Sequence, residues 1–206
     1  MRKIKSYWKK IATNIIWEKY PTKILEWKSN KYFWFSDGRI NVAENCLLNS
    51  KNKNKKKNAI VFIDKNKNIN KLSYSELANK VNHFSNYLCQ ITKNKTIKNV
   101  VIHSSANKVS AISMLSLSKL GVHFSVIFED LPNNAINERL KLINPDIIIT
   151  KDASKIEFFK KYLNKNKSLK KILICSGKRD NQQPIFYYNF NRKEKKQEIN
   201  YIYYES

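Results

Sequence analysis

Short apolar runs alternate with segments of helical periodicity through most of this chain, and this alternation constrains the fold more than any other feature. The apolar runs fall at 59–63 (AIVFI), 100–103 (VVIH), 122–128 (VHFSVIF), 146–150 (DIIIT) and 171–175 (KILIC). Runs rich in Val and Ile are typical of strands covered on both faces in a parallel sheet. The sequence therefore predicts an α/β fold, in which an open, mostly parallel sheet carries helices on both faces and right-handed crossovers.

Capping residues mark where the intervening helices begin and end. Ser73 and Glu76 form an S-x-x-E capping box, which predicts a helix beginning there. Gly121 lies at the expected left-handed end of the next helix, and Pro132 suits the first turn of the one after it. Asn144 and the proline behind it should end that helix.

The N-terminal segment does not follow the alternation. One face of a basic amphipathic helix is formed by Ile4, Trp8, Ile11 and Ile15. We expect Pro21 to end this helix. Two interpretations stay open: the helix lies on a membrane surface, or it packs its apolar stripe on the domain behind it.

Three regions are predicted along the chain. Residues 1–50 form the helical and irregular segment, 51–180 the α/β subdomain, and 181–206 a polar tail. Within that tail, 201–204 is either one more strand or disordered.

Glycine is scarce, which excludes one class of site. The chain has 3 glycines in 206 residues, where average composition would give about 14. A loop that cradles phosphates with backbone N–H groups needs several glycines within about six residues. This sequence contains no such loop.

The formal net charge is +24, from 40 Lys and Arg residues against 16 Asp and Glu residues. The densest Lys and Asn runs lie between the apolar segments, at 51–58, 64–71, 92–99 and 164–171. We interpret them as solvated loops shaped by A+T-rich coding bias. The alternative is a non-catalytic α/β binding module that uses these loops on nucleic acid or a protein partner.

The sequence predicts a cytoplasmic protein. No run reaches the roughly 18 apolar residues of a membrane-spanning helix, and the N-terminus lacks the apolar stretch of a secretory signal. Cys46, Cys89 and Cys175 are odd in number and far apart, so they fit neither a disulfide framework nor a CxxC metal site.

Few residues suggest chemistry. His83, His103 and His123 have no metal-ligand or triad spacing, so we interpret them as structural and predict no catalytic or metal-binding residue. Glu129 and Asp130 follow a strand, where open α/β sheets place ligands. Alternatively, they are an acidic pair favoured by the dipole of the next helix.

Residues 34–47 (WFSDGRINVAENCL) resemble the W-F-x-x-G-x-L-N-x-x-x-N-C-L segment of AMP-forming acetyl-CoA and propionyl-CoA synthetases. Further similarity covers 72–77 (LSYSEL), 114–128 (MLSLSKLGVHFSVIF) and 137–150 (NERLKLINPDIIIT). The order and spacing agree over about 7–150. Residues 203–206 are similar to the stretch that leads into the family's phosphate loop, so we expect the N-terminal portion of such an enzyme.

The resemblance implies what the complete enzyme does. Such enzymes activate a carboxylate with ATP and Mg to an acyl-adenylate and pass the acyl group to CoA. Their phosphate loop and catalytic motifs lie beyond the matched region. The resemblance therefore implies a chain that is non-catalytic alone and needs no cofactor by itself, with a second polypeptide as the partner that would complete it.

The resemblance also implies a place for CoA. The family's F-G-G-F-S turn corresponds to Phe128, Glu129 and Asp130, where carboxylates replace glycines. The family places Arg residues for the CoA phosphate after the next strand, whereas the nearby basic candidates here are Lys155, Lys160 and Lys161. These departures predict weak CoA binding.

Overall fold

The computed structural model describes residues 2–48, 56–63, 66–92, 96–165, 171–175, 185–189 and 199–202. The chain divides into two compact units, the first formed by Met1–Val61 with Asn70–Ala78 and the second by Phe62–Ile69 with Asn79–Ser206. The three regions expected from the sequence have different boundaries from these units and stay a prediction. Part of each Lys and Asn run, and the tail apart from two strands, lie outside the described residues.

The first unit contains two helices and a hairpin. Its elements are α1 (Arg2–Ala12), β1 (Leu25–Lys28), β2 (Lys31–Trp34) and α2 (Val42–Leu48). Strands β1 and β2 pair antiparallel. Between them Ser29 and Asn30 have φ values of 50° and 58°, the left-handed pair that a tight hairpin turn with the twist of its strands requires.

Helix α1 ends at Ala12, so the expectation that it continues past Ile15 to Pro21 is wrong. The indole Nε1 of Trp17 donates to the carbonyl of Ala12 at 2.8 Å and caps the helix end. The next turn is fixed by Asn45, whose side chain accepts from the N–H of Ile16 and donates to its carbonyl, both at 2.8 Å. These side chains give the backbone partners that a longer helix would have supplied.

Strands β3 (Asn58–Ile63) and β4 (Ile69–Ser73) form a separate two-stranded sheet. The run at 59–63 was expected to be buried, and this is wrong, because Val61 is 50% exposed and Ile63 69%. The predicted capping box is confirmed. The N–H of Ser73 donates to a Glu76 carboxylate oxygen at 2.7 Å, and the N–H of Glu76 donates to Ser73 Oγ, so α3 (Tyr74–Ile91) begins where expected.

The second unit is built on a six-stranded sheet. Its strands are β5 (Asn99–His103), β6 (His123–Ile127), β7 (Ile147–Thr150), β8 (Lys171–Cys175), β9 (Ile185–Asn189) and β10 (Ile199–Ile202). They lie in the order β10-β9-β8-β7-β5-β6. The pairs from β8 to β6 are parallel, and β9 and β10 add antiparallel pairs. The mostly parallel sheet is confirmed. Residues 201 and 202 belong to β10, and the rest of the predicted stretch 201–204 lies outside the described residues.

Helices cover both faces of this sheet. They are α4 (Lys108–Lys119), α5 (Asn133–Ile143) and α6 (Ile156–Lys165), together with the later turns of α3. On one face Val101, Ile127 and Ile148 pack with residues of α5 and α6, including Phe159. Alternate strand residues point to the other face, where α4 lies and its Ser116 hydroxyl donates to a carbonyl of α3.

The helix ends are closed as the sequence predicted. Gly121 has a φ of 67°, and its N–H and that of Val122 donate to the carbonyls of Ser118 and Leu117, which is the Schellman arrangement. At the end of α5, Asn144 is left-handed with a φ of 49°. Among the described residues no helix has both the length and the apolar character needed to cross a membrane.

Candidate functional site

The carboxyl ends of β5 and β7 lie side by side at a topological switch point. These strands are parallel neighbours, with His103 opposite Thr150 at their ends. The connection after β5 runs through α4 on one face, and the connection after β7 runs through α6 on the other. Open α/β sheets bind ligands in the crevice that such diverging connections leave, so this edge is the candidate site.

His103 and Thr150 are the buried residues at the centre of this candidate site. Both residues are fully buried, and His103 Nδ1 lies 3.0 Å from Thr150 Oγ1. The N–H of Asp152 also donates to Thr150 Oγ1, at 3.1 Å. The Thr150 hydroxyl keeps its proton and a second acceptor site, so it can donate to Nδ1 or accept from it; when it donates, Nε2 carries the proton of the neutral ring.

The other nitrogen of the ring has no partner. His103 Nε2 is buried and makes no hydrogen bond in the described structure. The ring packs edge-on against Phe159, with 5.2 Å between centroids. A buried polar atom without a partner is unusual and favours a water or a ligand acceptor at that position.

Burial lowers the pKa of His103 below its usual 6.5, so the ring is neutral at pH 7. Three charged side chains act on it from the loops after β6 and β7. The carboxylates of Asp152 and Glu129 raise this pKa, and the ammonium of Lys155 lowers it, each by less than burial does. The edge therefore holds groups of both signs around one neutral imidazole.

The structure places Phe128, Glu129 and Asp130 in the turn after β6. The N–H of Leu131 donates to the carbonyl of Phe128 at 3.3 Å and closes this turn. Phe128 and Asp130 are exposed, and Glu129 is half-buried. Of the three, Glu129 acts on the His103 ring.

The three lysines predicted near the site have different surroundings. Lys155 Nζ donates to Asn133 Oδ1 at 2.7 Å and thereby links the loop after β7 to the start of α5. Lys160 forms an ion pair with Glu157 at 2.7 Å on α6, and Lys161 is exposed. Only Lys155 lies close enough to act on His103.

Sequence reasoning missed Thr150 and Asp152, and it treated His103 as structural. The sequence did carry a signal for Thr150 and His103, because each of them ends a predicted parallel strand, where such sheets bind ligands. His83 and His123 are exposed and lie away from this arrangement. Among the described residues, no group of three His, Cys, Asp or Glu side chains is placed to hold a metal ion.

Two sequence-family matches cover nearly the whole chain. Residues 1–46 match the family described as acetyl-coenzyme A synthetase N-terminus, and residues 49–203 match the family described as AMP-binding enzyme. The second match spans well over half of the chain. The chain therefore belongs to the AMP-binding enzyme family.

Similar proteins show to which group within this family the chain belongs. An acetyl-coenzyme A synthetase of Leptospira biflexa is 32% identical over 159 residues, which are 74% of this chain and 24% of that protein. One of Streptomyces coelicolor is 29% identical over 149 residues, 71% of this chain and 23% of that protein. This chain corresponds to the N-terminal portion of the AMP-forming acyl-CoA synthetases, as the resemblance implied, and spans about a quarter of the length of these curated relatives.

The fold has a solved counterpart. Acetoacetyl-CoA synthetase from Streptomyces lividans superposes with a TM-score of 0.70 at 12% identity, over 84% of this chain and 28% of that one. The similarity confirms the α/β fold of the N-terminal portion.

Proposed function

We propose that this chain supplies the N-terminal α/β portion of a short-chain acyl-CoA synthetase that uses acetate or propionate, and that it is non-catalytic alone. The observation that carries the proposal is the family match over 49–203, together with relatives of which this chain covers about a quarter. The 206 residues contain no glycine-rich phosphate loop. Without backbone N–H groups to hold the phosphates, ATP cannot be oriented for attack by a carboxylate.

ATP, Mg and CoA are the cofactors of the complete enzyme in this proposal, and CoA would need basic groups for its phosphates. The turn after β6 carries two carboxylates, Glu129 and Asp130. Lys155 is engaged by a neutral amide and Lys160 by Glu157. These side chains do not fit a polyphosphate ligand, because like charge disfavours it and two of the three basic groups already have partners.

ATP–pyrophosphate exchange with acetate and with propionate tests the proposal. We expect no exchange above background for the chain alone. The assay is then repeated after this chain is mixed with a separately expressed polypeptide that carries the remainder of the Leptospira biflexa synthetase. If this chain can complete an enzyme, exchange should appear only in the mixture.

A matched control makes the reconstitution interpretable. The N-terminal quarter of the Leptospira biflexa enzyme, mixed with the same remainder, shows whether a synthetase split at this point regains activity. Clear turnover by this chain alone would refute the proposal. Activity of the control mixture without activity of the mixed pair would exclude the completed-enzyme part and leave a non-catalytic domain.

A further inference from the structure

Five aromatic side chains of the first unit form one continuous surface, here called the aromatic face. Strand pairing sets Trp27 opposite Tyr32 and Leu25 opposite Trp34, so Trp27, Tyr32 and Trp34 share one side of the hairpin. The rings of Trp27 and Tyr32 lie 4.5 Å apart, and Trp34 lies 5.1 Å from Trp8 of α1. Tyr7 extends the surface, 5.6 Å from Trp8.

The aromatic face is open to solvent. The exposed fractions are 37% for Trp8, 43% for Trp34, 58% for Tyr32, 59% for Trp27 and 60% for Tyr7. Ile4, one turn before Trp8, is 51% exposed. Contiguous apolar surface of this kind on a folded unit marks an interaction site.

Basic side chains of α1 flank the helical part of the aromatic face. Helix α1 contains no acidic residue. At 100° per residue its apolar side spans a sector of about 100°, with Lys3 and Lys10 on one flank and Lys5 on the other. The two strands of the hairpin add no lysine to this side, because Lys28 and Lys31 pair with each other and by alternation lie on the side of Glu26, which is paired with Lys23.

We propose that the aromatic face and its lysines bind an anionic bilayer surface. Trp and Tyr favour the headgroup region because their rings are apolar with a polar edge. Flanking lysines then reach anionic headgroups, each adding electrostatic attraction. The interaction is peripheral and goes beyond the proposed function, on which it does not depend.

The ring geometry favours a bilayer over single-stranded nucleic acid. Base stacking needs aromatic faces that stand open and flat against the base. Here the planes of Trp27 and Tyr32 are tilted 57° to each other, and those of Trp8 and Trp34 are tilted 55°. Neighbouring rings therefore present no common flat surface, which suits an irregular apolar interface better than stacked bases.

Co-sedimentation of the full chain with vesicles tests the proposal. Vesicles of phosphatidylcholine mixed with phosphatidylserine should pellet the protein at low salt and shift its tryptophan emission to the blue. Pure phosphatidylcholine vesicles should pellet much less. Absence of binding to the mixed vesicles, or equal binding to both kinds, would overturn the proposal.

Two variants locate the surface. Trp27→Ser with Tyr32→Ser should weaken binding to the mixed vesicles about tenfold or more. Lys5→Glu with Lys10→Glu should weaken it by a similar factor. The matched controls are Leu142→Ser, at a site 86% exposed on α5, and Lys98→Glu with Lys165→Glu, both exposed in the second unit; these should bind as the wild type does.

A labelled single-stranded RNA separates the two classes of partner. RNA that competes fully with the vesicles and loses affinity in the Trp27→Ser, Tyr32→Ser variant would overturn the bilayer assignment in favour of nucleic acid. Vesicle binding reduced equally by the control variants would also overturn it, because the overall charge would then be the cause. Circular dichroism confirms that each variant is folded.

Discussion

His103 Nδ1 lies 3.0 Å from Thr150 Oγ1, so a side-chain hydrogen bond joins the ends of two parallel strands at the point where their connections diverge. Both residues are fully buried. The contact orients the imidazole, and its Nε2 has no hydrogen-bond partner among the described residues. We expect the stability of this edge to depend on this contact, and its response to pH to depend on the burial of His103.

Thr150→Val should lower the free energy of unfolding by about 1–3 kcal/mol, because it leaves both His103 Nδ1 and the Asp152 N–H without their partner. Urea denaturation monitored by circular dichroism measures the change. Thr150→Ser keeps the hydroxyl and should lose less. Equal stability of the Val variant and the wild type would show that the bond contributes nothing.

His103 should make the protein less stable in mild acid. Its pKa is lowered in the folded state from an ordinary value of 6.5, so above that pH both states are neutral at this residue. As the pH falls below 6.5, the unfolded chain takes up the proton first, and the free energy of unfolding decreases. The midpoint of urea unfolding, measured from neutral to mildly acidic pH, should decrease as the pH falls.

Two histidine variants control for this pH effect. His103→Gln should flatten the slope between neutral and mildly acidic pH, whereas His83→Gln, at an exposed position on α3, should leave it in place. An unchanged slope in His103→Gln would assign the effect to other groups.

Gly121→Ala should cost about 1–2 kcal/mol of stability, because this residue has a φ of 67° that a Cβ disfavours. No neighbouring atom lies within 4 Å of the added Cβ, so the loss would come from the backbone alone. Gly121→Asn should lose less, since Asn tolerates the left-handed region better. Thermal unfolding of the three proteins gives the comparison, and an Ala variant as stable as the wild type would contradict it.

Asn45→Ala should destabilise the first unit by about 1–3 kcal/mol, because the backbone N–H and carbonyl of Ile16 both lose their partner. Asn45→Asp keeps the acceptor but sets a carboxylate against that carbonyl, so it should also lose stability. Near-ultraviolet circular dichroism of the tryptophans reports on this unit. Unchanged spectra and unfolding midpoints in both variants would contradict the assignment.

The elements with strong local signals were predicted well. The apolar runs at 100–103 and 171–175 are β5 and β8 with nearly the same bounds. The helix start predicted at Ser73 and the helix ends predicted at Gly121 and Asn144 are confirmed. Capping bonds and left-handed residues act over a few residues, so a sequence shows them directly.

Features that depend on distant partners were not predictable. The run at 59–63 has the composition of a buried strand but lies in a two-stranded sheet with exposed apolar residues, because burial depends on what packs against a strand. Strand β9 was missed, since the sequence around it has no clear period. Helix α1 ends early, and the distant partner there is Asn45, whose side chain bonds the backbone of Ile16 from 29 residues away.

The sequence by itself determined the α/β class, the family and the lack of a phosphate loop, because alternating periodicity, ordered motifs and glycine content are properties of the chain read in order. Only the tertiary structure decided which strand ends become neighbours. His103 and Thr150 are 47 residues apart, and they meet because β7 enters the sheet beside β5, on the side away from β6. The tertiary structure likewise left the aromatic face exposed, because the hairpin register and the packing of Trp8 on Trp34 bring its rings together.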